Sequence, residues 1–535
     1  MLEVAIAGRD GYRGAHNLPE FRSPVTEILK VAPLAPAAPQ DAAPAAVPFW
    51  ARPEGVAVII AAWAVIHAFI GSFFEIAVNA DDAVESYMVQ SLELSYVPRN
   101  PPLYDWLLYG LQRVLGTGPL SFAVLRYVLL FACAMLVWRI ARRVIADPRL
   151  QALATFSLSA IWVIGYHSHR ILTHSNVMIV AIAGAVLTIL ALARQPSTRL
   201  YAGLGLWIAA GLLGKFGFLG FLGVFVVAML LEPQFRRVLL DRRIGITILV
   251  AAFPLAIYGG ALYILKQDVA AAVAQTIGAT NAGFDDVLGS FLGALAGYTL
   301  PLAALMAAVF LPFNRGEGAL PSSPDRAAAR RLLRNFIIMG VVVTLIGVLV
   351  AQTSSLRDRY FHVFLLLLPV YLFAELERLG GWRPRVTLYL ALLALIAVGV
   401  VGGRIAVPLW PDPRLCGRCM AAEPLYKLRV AVAGRLGSAP TLVADDRISA
   451  GRLRAAIPGA RVVIARELQY RPPSRPATGC ARVTGIANGL PFLLLPPPGK
   501  DTAEPSVKWW SPLMNPHRVS DWQITKLPLE DPLCR

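Results

Sequence analysis

The chain has 535 residues, of which 56% are hydrophobic and only 16% are charged, and its mean hydropathy is +0.59. This composition excludes an ordinary soluble enzyme and predicts a membrane protein with many spans. The formal net charge of +17 is a feature that nucleic-acid-binding proteins also show. The basic residues are instead divided unequally between the two sides of the predicted membrane domain, so no nucleic-acid partner is predicted.

The N-terminal segment, residues 1–54, is predicted to be a disordered cytoplasmic tail. It is rich in Ala and Pro, particularly over residues 32–39, and it has no apolar period. No cleavable signal peptide is evident, so the first apolar span is expected to act as a signal anchor.

Residues 55–410 are predicted to be an all-α polytopic membrane domain of about eleven to thirteen spans, with amphipathic helices on its outer surface. Three of the apolar runs, 151–167, 201–214 and 361–376, are short for a membrane crossing and are expected to be tilted or re-entrant. The spans that the apolar runs define are 56–76, 119–140, 151–167, 175–193, 201–214, 216–231, 245–265, 291–312, 335–352, 361–376 and 386–408.

The loops between the predicted spans differ in charge. Eighteen arginines fall on the loops of one side, whereas seven basic residues fall on the loops of the other side. Positive charge concentrates in cytoplasmic loops, so the arginine-rich side is predicted to be cytoplasmic, together with the N-terminus. An odd number of spans then places residues 411–535 outside. We expect a multi-pass protein of the bacterial inner membrane with a periplasmic C-terminal domain.

The first outer loop, residues 77–118, carries the densest group of candidate catalytic residues. Asp81 and Asp82 are adjacent, and Glu85 follows one helical turn later, so the carboxylates share a helix face. Arg99 precedes a Pro-Pro turn in the same loop. Charged groups this close to lipid are costly and indicate a functional site. The alternative is structural, with an aspartate capping the helix and Glu85 completing a capping box.

The other predicted outer loops add polar groups on the same side. Lys215 stands alone between two apolar spans, and Arg357 and Arg359 precede another span. Such cations suit the binding of phosphate, although interfacial basic residues also extend to lipid headgroups. His169 and His174 lie five residues apart, which misses the helical spacing of a metal site. Whether a divalent metal ion binds is left open.

Residues 411–535 are predicted to form a small α/β domain. Apolar runs at 441–444, 461–465 and 489–495 predict short strands, and a helix is predicted at 449–457. Four of the five cysteines of the chain lie in this region, at positions 416, 419, 480 and 534. In an exported domain this number favours disulfides over a zinc site, and all three full pairings stay open.

Four sequence elements, in this order along the chain, resemble a known family of membrane enzymes. They are Asp81-Asp82-Ala83, Asn100-Pro101-Pro102-Leu103-Tyr104-Asp105-Trp106-Leu107, Gly211-Leu212-Leu213-Gly214-Lys215 and Arg357-Asp358-Arg359-Tyr360-Phe361. The family is that of the polyprenyl-phosphate-dependent glycosyltransferases of the GT-C fold. The chain resembles its protein mannosyltransferase and aminoarabinose transferase members (family 39-like), particularly the rhizobial lipopolysaccharide galacturonosyltransferase branch.

The resemblance implies a reaction and a set of roles. The donor would be a polyprenyl-phosphate-linked sugar. The acceptor would be a glycolipid or glycan such as lipid A or lipopolysaccharide, and the protein would be surrounded by membrane lipids. Asp81 is the expected catalytic base, with Asp82 or Glu85 assisting. The remaining candidates are Lys215, Arg357, Arg359 and Arg99 for the donor phosphate, and Tyr104, His169 and His174 for the sugar or acceptor.

Two departures from the family pattern stand out. Asn100 occupies the position of a lysine, so Arg99 is expected to supply the nearby positive charge, and His174 occupies the position of an aspartate. Alternative functions remain open at this stage: a lipid-linked sugar flippase or transporter, a protein O-mannosyltransferase, and a non-catalytic assembly protein. The sugar is also open among galacturonic acid, aminoarabinose, mannose and arabinose.

Overall fold

The computed structural model describes residues 46–272, 281–311, 322–410, 419–467, 470–486, 506–507 and 520–535. Most of the predicted N-terminal tail and the predicted strand at 489–495 lie outside these residues. The helices are α1 (Pro53–Phe73), α2 (Ala80–Met88), α3 (Leu103–Leu115), α4 (Pro119–Val144), α5 (Pro148–Phe156), α6 (Trp162–Gly165), α7 (Thr173–Leu192), α8 (Thr198–Gly214), α9 (Phe218–Leu231), α10 (Pro233–Leu240), α11 (Ile244–Ile264), α12 (Phe284–Phe310), α13 (Pro324–Ala351), α14 (His362–Leu365), α15 (Leu368–Leu379), α16 (Val386–Leu409), α17 (Leu425–Leu436) and α18 (Arg447–Ala456).

Within the described ranges, seven helices are long and apolar enough to cross a membrane: α1, α4, α7, α11, α12, α13 and α16. Two bent pairs raise this number to nine if each pair forms one span. One is α9 with α10, which is bent by 117°, and the other joins residues 358–365 to α15 at 55°. The predicted polytopic all-α fold is confirmed. The two remaining predicted spans correspond to α8, which has 17 residues, and to the passage at 148–169.

The short predicted span at 151–167 is broken in the structure. α5 ends at Phe156, a 3₁₀ turn follows, and α6 has only four residues. The hydroxyl of Ser157 donates to the Leu153 carbonyl, and the hydroxyl of Ser159 donates to the Phe156 carbonyl. Such local hydroxyl–backbone bonds compete with a regular helix. The chain then folds back closely, since a Cβ on Gly165 would lie 2.0 Å from the Ser159 carbonyl oxygen.

The loops meet in two groups, one at each end of the helix bundle. At one end, Glu377 accepts hydrogen bonds from the amides of Ala146 and Asp147, and Arg331 pairs with Glu232. At the other end, Ser95 donates to the Gln267 side chain at 2.6 Å, and Lys215 donates to Ser175. These contacts join loops that the charge pattern had assigned to the same side.

The C-terminal region contains a five-stranded sheet with the order β2-β1-β3-β5-β4. β1 runs parallel to β2 and to β3, whereas β5 is antiparallel to both of its neighbours. The predicted strands β1 and β2 and the predicted helix α18 are confirmed, and β3 and β5 were not predicted. The strands are β1 (Thr441–Ala444), β2 (Arg461–Ile464), β3 (Cys480–Ile486), β4 (Ser506–Val507) and β5 (Ser520–Leu527).

The predicted use of cysteine for disulfides is confirmed. Cys480 of β3 is bonded to Cys534 near the C-terminus, and Cys419 is also disulfide-bonded. Cys416 lies outside the described residues. Cys133, within α4, is a free and buried thiol.

The C-terminal region packs directly on the first loop of the membrane domain. α18 lies against α2 so closely that a Cβ on Gly451 would lie 1.5 Å from the Ala83 carbonyl oxygen. The side-chain amide of Gln90 donates to the Val462 carbonyl and accepts from the Val462 amide, at 2.8 and 2.9 Å. α2 is therefore fixed by two strand-like hydrogen bonds to β2 and by the backbone contact with α18.

Candidate active site

α2 carries three carboxylates at its N-terminal half. Asn79 is the N-cap residue, and its side chain makes no capping hydrogen bond. Asp81 and Asp82 lie in the first turn, where the positive end of the helix dipole stabilises anions. The capping interpretation of these aspartates is therefore wrong, because the cap is Asn79 and Glu85 pairs with another helix.

Asp82 is engaged in a buried ion pair. Its Oδ1 accepts a hydrogen bond of 2.6 Å from Arg126 of α4, and both side chains are about 5% exposed or less. Burial raises the pKa of Asp82, and the guanidinium of Arg126 opposes this shift. Since removing one partner of such a pair leaves a buried uncompensated charge, Asp82 holds α2 on α4.

Glu85 belongs to a second buried group with His174 of α7 and Asp105 of α3. Nε2 of His174 lies 3.1 Å from Glu85 Oε1 and 3.9 Å from Asp105 Oδ1. Burial acts to raise the pKa of Glu85, but His174, Asp105 and a hydrogen bond from Thr173 outweigh it and lower that pKa. Burial and the charge of Glu85 raise the pKa of Asp105 well above its usual range. These opposite directions indicate that Asp105 holds a proton beside an ionised Glu85.

Asp81 differs from both of its neighbours on α2. It is half-buried, and it accepts a long hydrogen bond of 3.4 Å from the Leu172 amide. Leu172 has a φ of +80°, which is rare for a bulky residue. Such strained backbone clusters at functional sites. Of the three carboxylates, Asp81 is thus the one outside the close charge pairs of the described residues.

Lys215, in the connection between α8 and α9, faces this carboxylate. Its ammonium donates to the Ser175 hydroxyl at 2.7 Å, and Asp81 is near enough for its charge to act on Lys215. Burial and the charge of Arg359, with a smaller contribution from Arg99, lower the pKa of Lys215 to about 8. Arg359 and Arg99 thus lie within electrostatic range of Lys215.

Arg357 stands apart from this group. Its side chain is exposed, and no contact among the described residues joins it to Asp81 or Lys215. The guanidinium of its neighbour Arg359 lies over the ring of Tyr360, 5.9 Å from the ring centroid. This distance is within the range of a cation–π contact.

Tyr104 joins the group around Glu85. Its ring centroid lies 5.2 Å from that of His174, its side chain is buried, and its hydroxyl lacks a hydrogen-bond partner among the described residues. Burial raises the pKa of Tyr104 well above its usual range, so the phenol stays protonated. It is a donor available to a bound ligand.

His169 lies in a separate buried network with the C-terminal halves of α1 and α16 and the N-terminal half of α4. Its ring stacks on His67 with centroids 4.2 Å apart, and its Nδ1 lies 2.8 Å from the Tyr127 hydroxyl. Arg404 donates to Tyr127 and pairs with Glu75 at 2.7 Å. We call these five residues the Arg404 network. The structure does not place His169 beside Asp81.

Several residues of these groups were not predicted. Arg126, Arg404 and His67 each interrupt an apolar span, and ionisable residues within spans are functional candidates in their own right. That signal was available in the sequence. Asp105 was recognised only as part of the Pro-Pro motif and not as a site residue. Its partners, Glu85 and His174, come from two other helices, so the local sequence does not reveal them.

One group of residues in the described part of the chain could hold a metal ion. One donor atom each of Glu85, Asp105 and His174 lies within 4.8 Å of the others, and neither ring nitrogen of His174 makes a hydrogen bond there. Two carboxylates and one imidazole fit a divalent ion such as Zn²⁺. The alternative occupant is the proton that Asp105 shares with Glu85.

Part of this chain matches a known protein family. Residues 99–258 match the family described as dolichyl-phosphate-mannose-protein mannosyltransferase, and this stretch includes the Pro-Pro motif and Lys215. Seven helices in the described part of the chain are long and apolar enough to cross a membrane, and the chain is an integral membrane protein. The resemblance predicted from the four motifs is confirmed.

Two similar relatives come from Rhizobium johnstonii. The lipopolysaccharide core galacturonosyltransferase RgtB is 25% identical over 463 residues, which cover 84% of this chain and 89% of RgtB. The lipopolysaccharide core galacturonosyltransferase RgtA is 26% identical over 424 residues, covering 76% of this chain and 81% of RgtA.

A solved structure shares the fold. ArnT from Cupriavidus metallidurans, in a crystal structure with undecaprenyl phosphate, matches 78% of this chain and 87% of its own chain. The TM-score is 0.50 and the sequence identity is 14%, so this likeness concerns the fold alone.

Proposed function

We propose that this protein transfers a sugar from a polyprenyl-phosphate carrier to an envelope glycolipid or glycan, with Asp81 as the catalytic base. The observation that carries the proposal is the division of roles among the carboxylates of α2. Asp82 is neutralised by Arg126, and Glu85 is held by His174 and Asp105. Asp81 is half-buried, loosely bonded and adjacent to Lys215.

The proposed step is a single displacement that inverts the anomeric carbon. The acceptor hydroxyl attacks this carbon, its proton passes to Asp81, and the bond from the carbon to the phosphate oxygen breaks. Proton removal by a positioned base contributes about 10²–10⁴-fold to such a rate. The departing polyprenyl phosphate gains negative charge, and we assign its stabilisation to Lys215 and to Arg359, whose charge acts on Lys215.

The names of the relatives suggest the substrates. RgtB and RgtA are lipopolysaccharide core galacturonosyltransferases, and ArnT was crystallised with undecaprenyl phosphate. We therefore propose a galacturonosyl donor on a polyprenyl phosphate and a lipopolysaccharide acceptor as the first pair to test. The proposed location is the bacterial inner membrane, with Asp81 and the C-terminal region on the periplasmic side.

The proposed step needs no metal ion. Asp81 takes the proton, and basic side chains meet the charge of the phosphate. A divalent ion at Glu85, Asp105 and His174 would act on the orientation of α2 by replacing the proton between the two carboxylates.

The test is a transfer assay in membranes that contain the full chain, with labelled polyprenyl-phosphate galacturonic acid and lipopolysaccharide that lacks this sugar. Asp81→Asn is expected to reduce transfer by about 10³-fold, because the amide cannot accept the proton. Asp285→Asn is a matched control, since Asp285 also lies in the first turn of a helix, α12, and is exposed. Transfer by Asp81→Asn at the wild-type rate would exclude Asp81 as the base.

The same assay separates the alternative functions. Movement of labelled donor across the membrane without a glycosylated product would favour a flippase. A mannosylated protein product with a polyprenyl-phosphate mannose donor would favour a protein O-mannosyltransferase.

A further inference from the structure

A polar cavity lies between the membrane domain and the C-terminal region, at the C-terminal end of α2. It has a volume of about 270 Å³. Its walls come from the end of α2, from α3 and from the segments around α18. The lining residues are Val89, Gln90, Tyr109, Gln112, Arg113, Thr117, Arg454, Pro458, Ala460 and Arg475.

The charge of this lining is uncompensated. It includes three arginines, Arg113, Arg454 and Arg475, and no Asp or Glu. Arg113 and Arg475 are exposed at the cavity edge, where the Arg113 guanidinium lies over the Tyr109 ring and Arg475 donates to the Gly459 carbonyl. A concave surface with only positive charge attracts anions.

Arg454 is the buried member of the three. It is 8% exposed, and its guanidinium donates to the carbonyls of Ser86 and Val89 and to the Gln112 side chain at 2.7 to 2.9 Å. All of these acceptors are neutral. Burial, reinforced by the charge of Arg475, lowers the pKa of Arg454 to about 10. A buried charge without an opposite charge is costly and is normally compensated.

Two further features suit a ligand. The side-chain amide nitrogen of Gln112 is buried and lacks a hydrogen-bond partner among the described residues, so it is a donor available to an acceptor group. Tyr109 holds the Arg113 guanidinium over its ring, 5.7 Å from the ring centroid, and so keeps this positive charge at the cavity. Neither feature is explained by the structural role of Arg454 as a cap for the last carbonyls of α2.

We propose that this cavity binds an anionic group, a phosphate or a carboxylate, that is carried by the acceptor glycan. The identification of the ligand as the acceptor rests on the proposed function, whereas the binding of an anion does not. Val89 lies eight residues beyond Asp81, which is about 12 Å at the helical rise of 1.5 Å per residue. The cavity thus binds a part of the acceptor that is remote from the reacting hydroxyl and selects acceptors by their negative charge.

The experiment measures binding to the purified full chain in detergent by isothermal titration calorimetry. The probes are digalacturonate, inorganic pyrophosphate and, as a neutral control, galactobiose. All proteins carry Lys215→Met, so that the predicted donor phosphate site does not contribute. We expect both anions to bind, galactobiose not to bind, and Arg113→Ala with Arg475→Ala to weaken anion binding by about tenfold for each arginine.

The matched control is Arg429→Ala with Arg466→Ala, which removes two exposed arginines of the C-terminal region that do not line the cavity. This control is expected to bind the anions as tightly as the parent. Equal binding by the cavity variant and the parent would overturn the site. Displacement of digalacturonate by phosphatidylglycerol micelles would assign the cavity to a lipid headgroup and overturn the acceptor assignment.

Binding and catalysis are separated by one further variant. Asp81→Asn is expected to bind digalacturonate like the parent, because the cavity lies at the other end of α2. Anion binding by the Lys215→Met parent, together with no transfer activity in the protein that retains both Lys215 and Asp81, would leave the cavity in place and contradict only the proposed function. Normal transfer with no anion binding would contradict only the cavity.

Discussion

The Arg404 network and the group around Asp81 are both charged and lie at the same end of the bundle. They differ in how fully their charges are paired. Arg404 donates to Glu75, to the Tyr127 hydroxyl and to the carbonyl of His67. Asp81 accepts one long hydrogen bond, and Lys215 donates one. The comparison indicates that paired charges hold the spans together, whereas loosely paired charges are kept for a substrate.

The largest expected effect tests the structural half of this comparison. Arg404→Met leaves the Glu75 carboxylate buried without its partner, and breaking such a pair costs about 3–5 kcal/mol. We expect a large fall in the thermal unfolding temperature of the purified protein in detergent. Arg404→Met combined with Glu75→Met should recover most of this loss, because no buried charge remains. A double variant as unstable as the single one would contradict the ion-pair account.

Lys215 tests the functional half. Lys215→Met is expected to raise the KM for the lipid-linked donor by about 10- to 100-fold, since a charge-assisted contact to phosphate is lost. Because the pKa of Lys215 is lowered to about 8, the ammonium is present below pH 8 and is lost above it. Donor KM should therefore rise as the pH increases beyond 8.

The control for this pH effect is Lys215→Arg. A guanidinium stays charged over the whole range, so the rise in KM above pH 8 should disappear. A pH profile that is unchanged in Lys215→Arg would show that another group causes the effect.

The Glu85–Asp105–His174 group gives a smaller and more specific effect. Asp105→Asn resembles the protonated acid and is expected to change transfer by less than about twofold, whereas Glu85→Gln removes the charge that faces His174 and should cost more. Because the folded protein retains a proton on Asp105 that the unfolded chain releases, stability should fall as the pH rises above about 4. Asp105→Asn should flatten this decline, which unfolding at a series of pH values will measure.

Metal analysis of the same preparation distinguishes a shared proton at this group from a bound metal ion. If the group holds a proton, EDTA treatment should leave transfer within about twofold of its starting value. One equivalent of zinc per chain that disappears in Asp105→Asn would contradict the shared proton and assign a metal site.

The smallest expected effect separates two neighbouring arginines. Arg359 acts on Lys215, so Arg359→Ala should raise the donor KM by about tenfold. Arg357 is exposed and has no described contact with the site, so Arg357→Ala should change it by less than about twofold. The reverse order would contradict the placement of the donor phosphate beside Lys215.

Much of the fold was predictable because apolar runs of membrane length are local features of the sequence. The broken passage at 148–169 was not, since Ser157 and Ser159 interrupt the helix through bonds that apolar content does not reveal. β1 and β2 are continuous apolar runs, whereas β3 and β5 carry polar residues such as Arg482 and Thr525 and depend on their pairing with each other.

The candidate site was predictable in its residue types but not in its pairings. The spacing of Asp81, Asp82 and Glu85 placed them on one helix, but their partners lie 44 residues away in α4 and 89 residues away in α7. Residue spacing also gave His169 and His174 the same predicted role as sugar or acceptor contacts. In the structure they belong to different groups. Only the packing of α2 against α4 and α7 decides which carboxylate stays available.

The central claim is that Asp81 performs the chemistry and Asp82 holds the helix, and one paired measurement tests it. The transfer rate and the thermal unfolding temperature are measured for Asp81→Asn and Asp82→Asn in the same detergent. We expect Asp81→Asn to lose about 10³-fold in rate with an unchanged unfolding temperature. Asp82→Asn should unfold at a markedly lower temperature, because Arg126 loses its partner. Full activity in Asp81→Asn, or loss of activity only in a stable Asp82→Asn, would contradict the account.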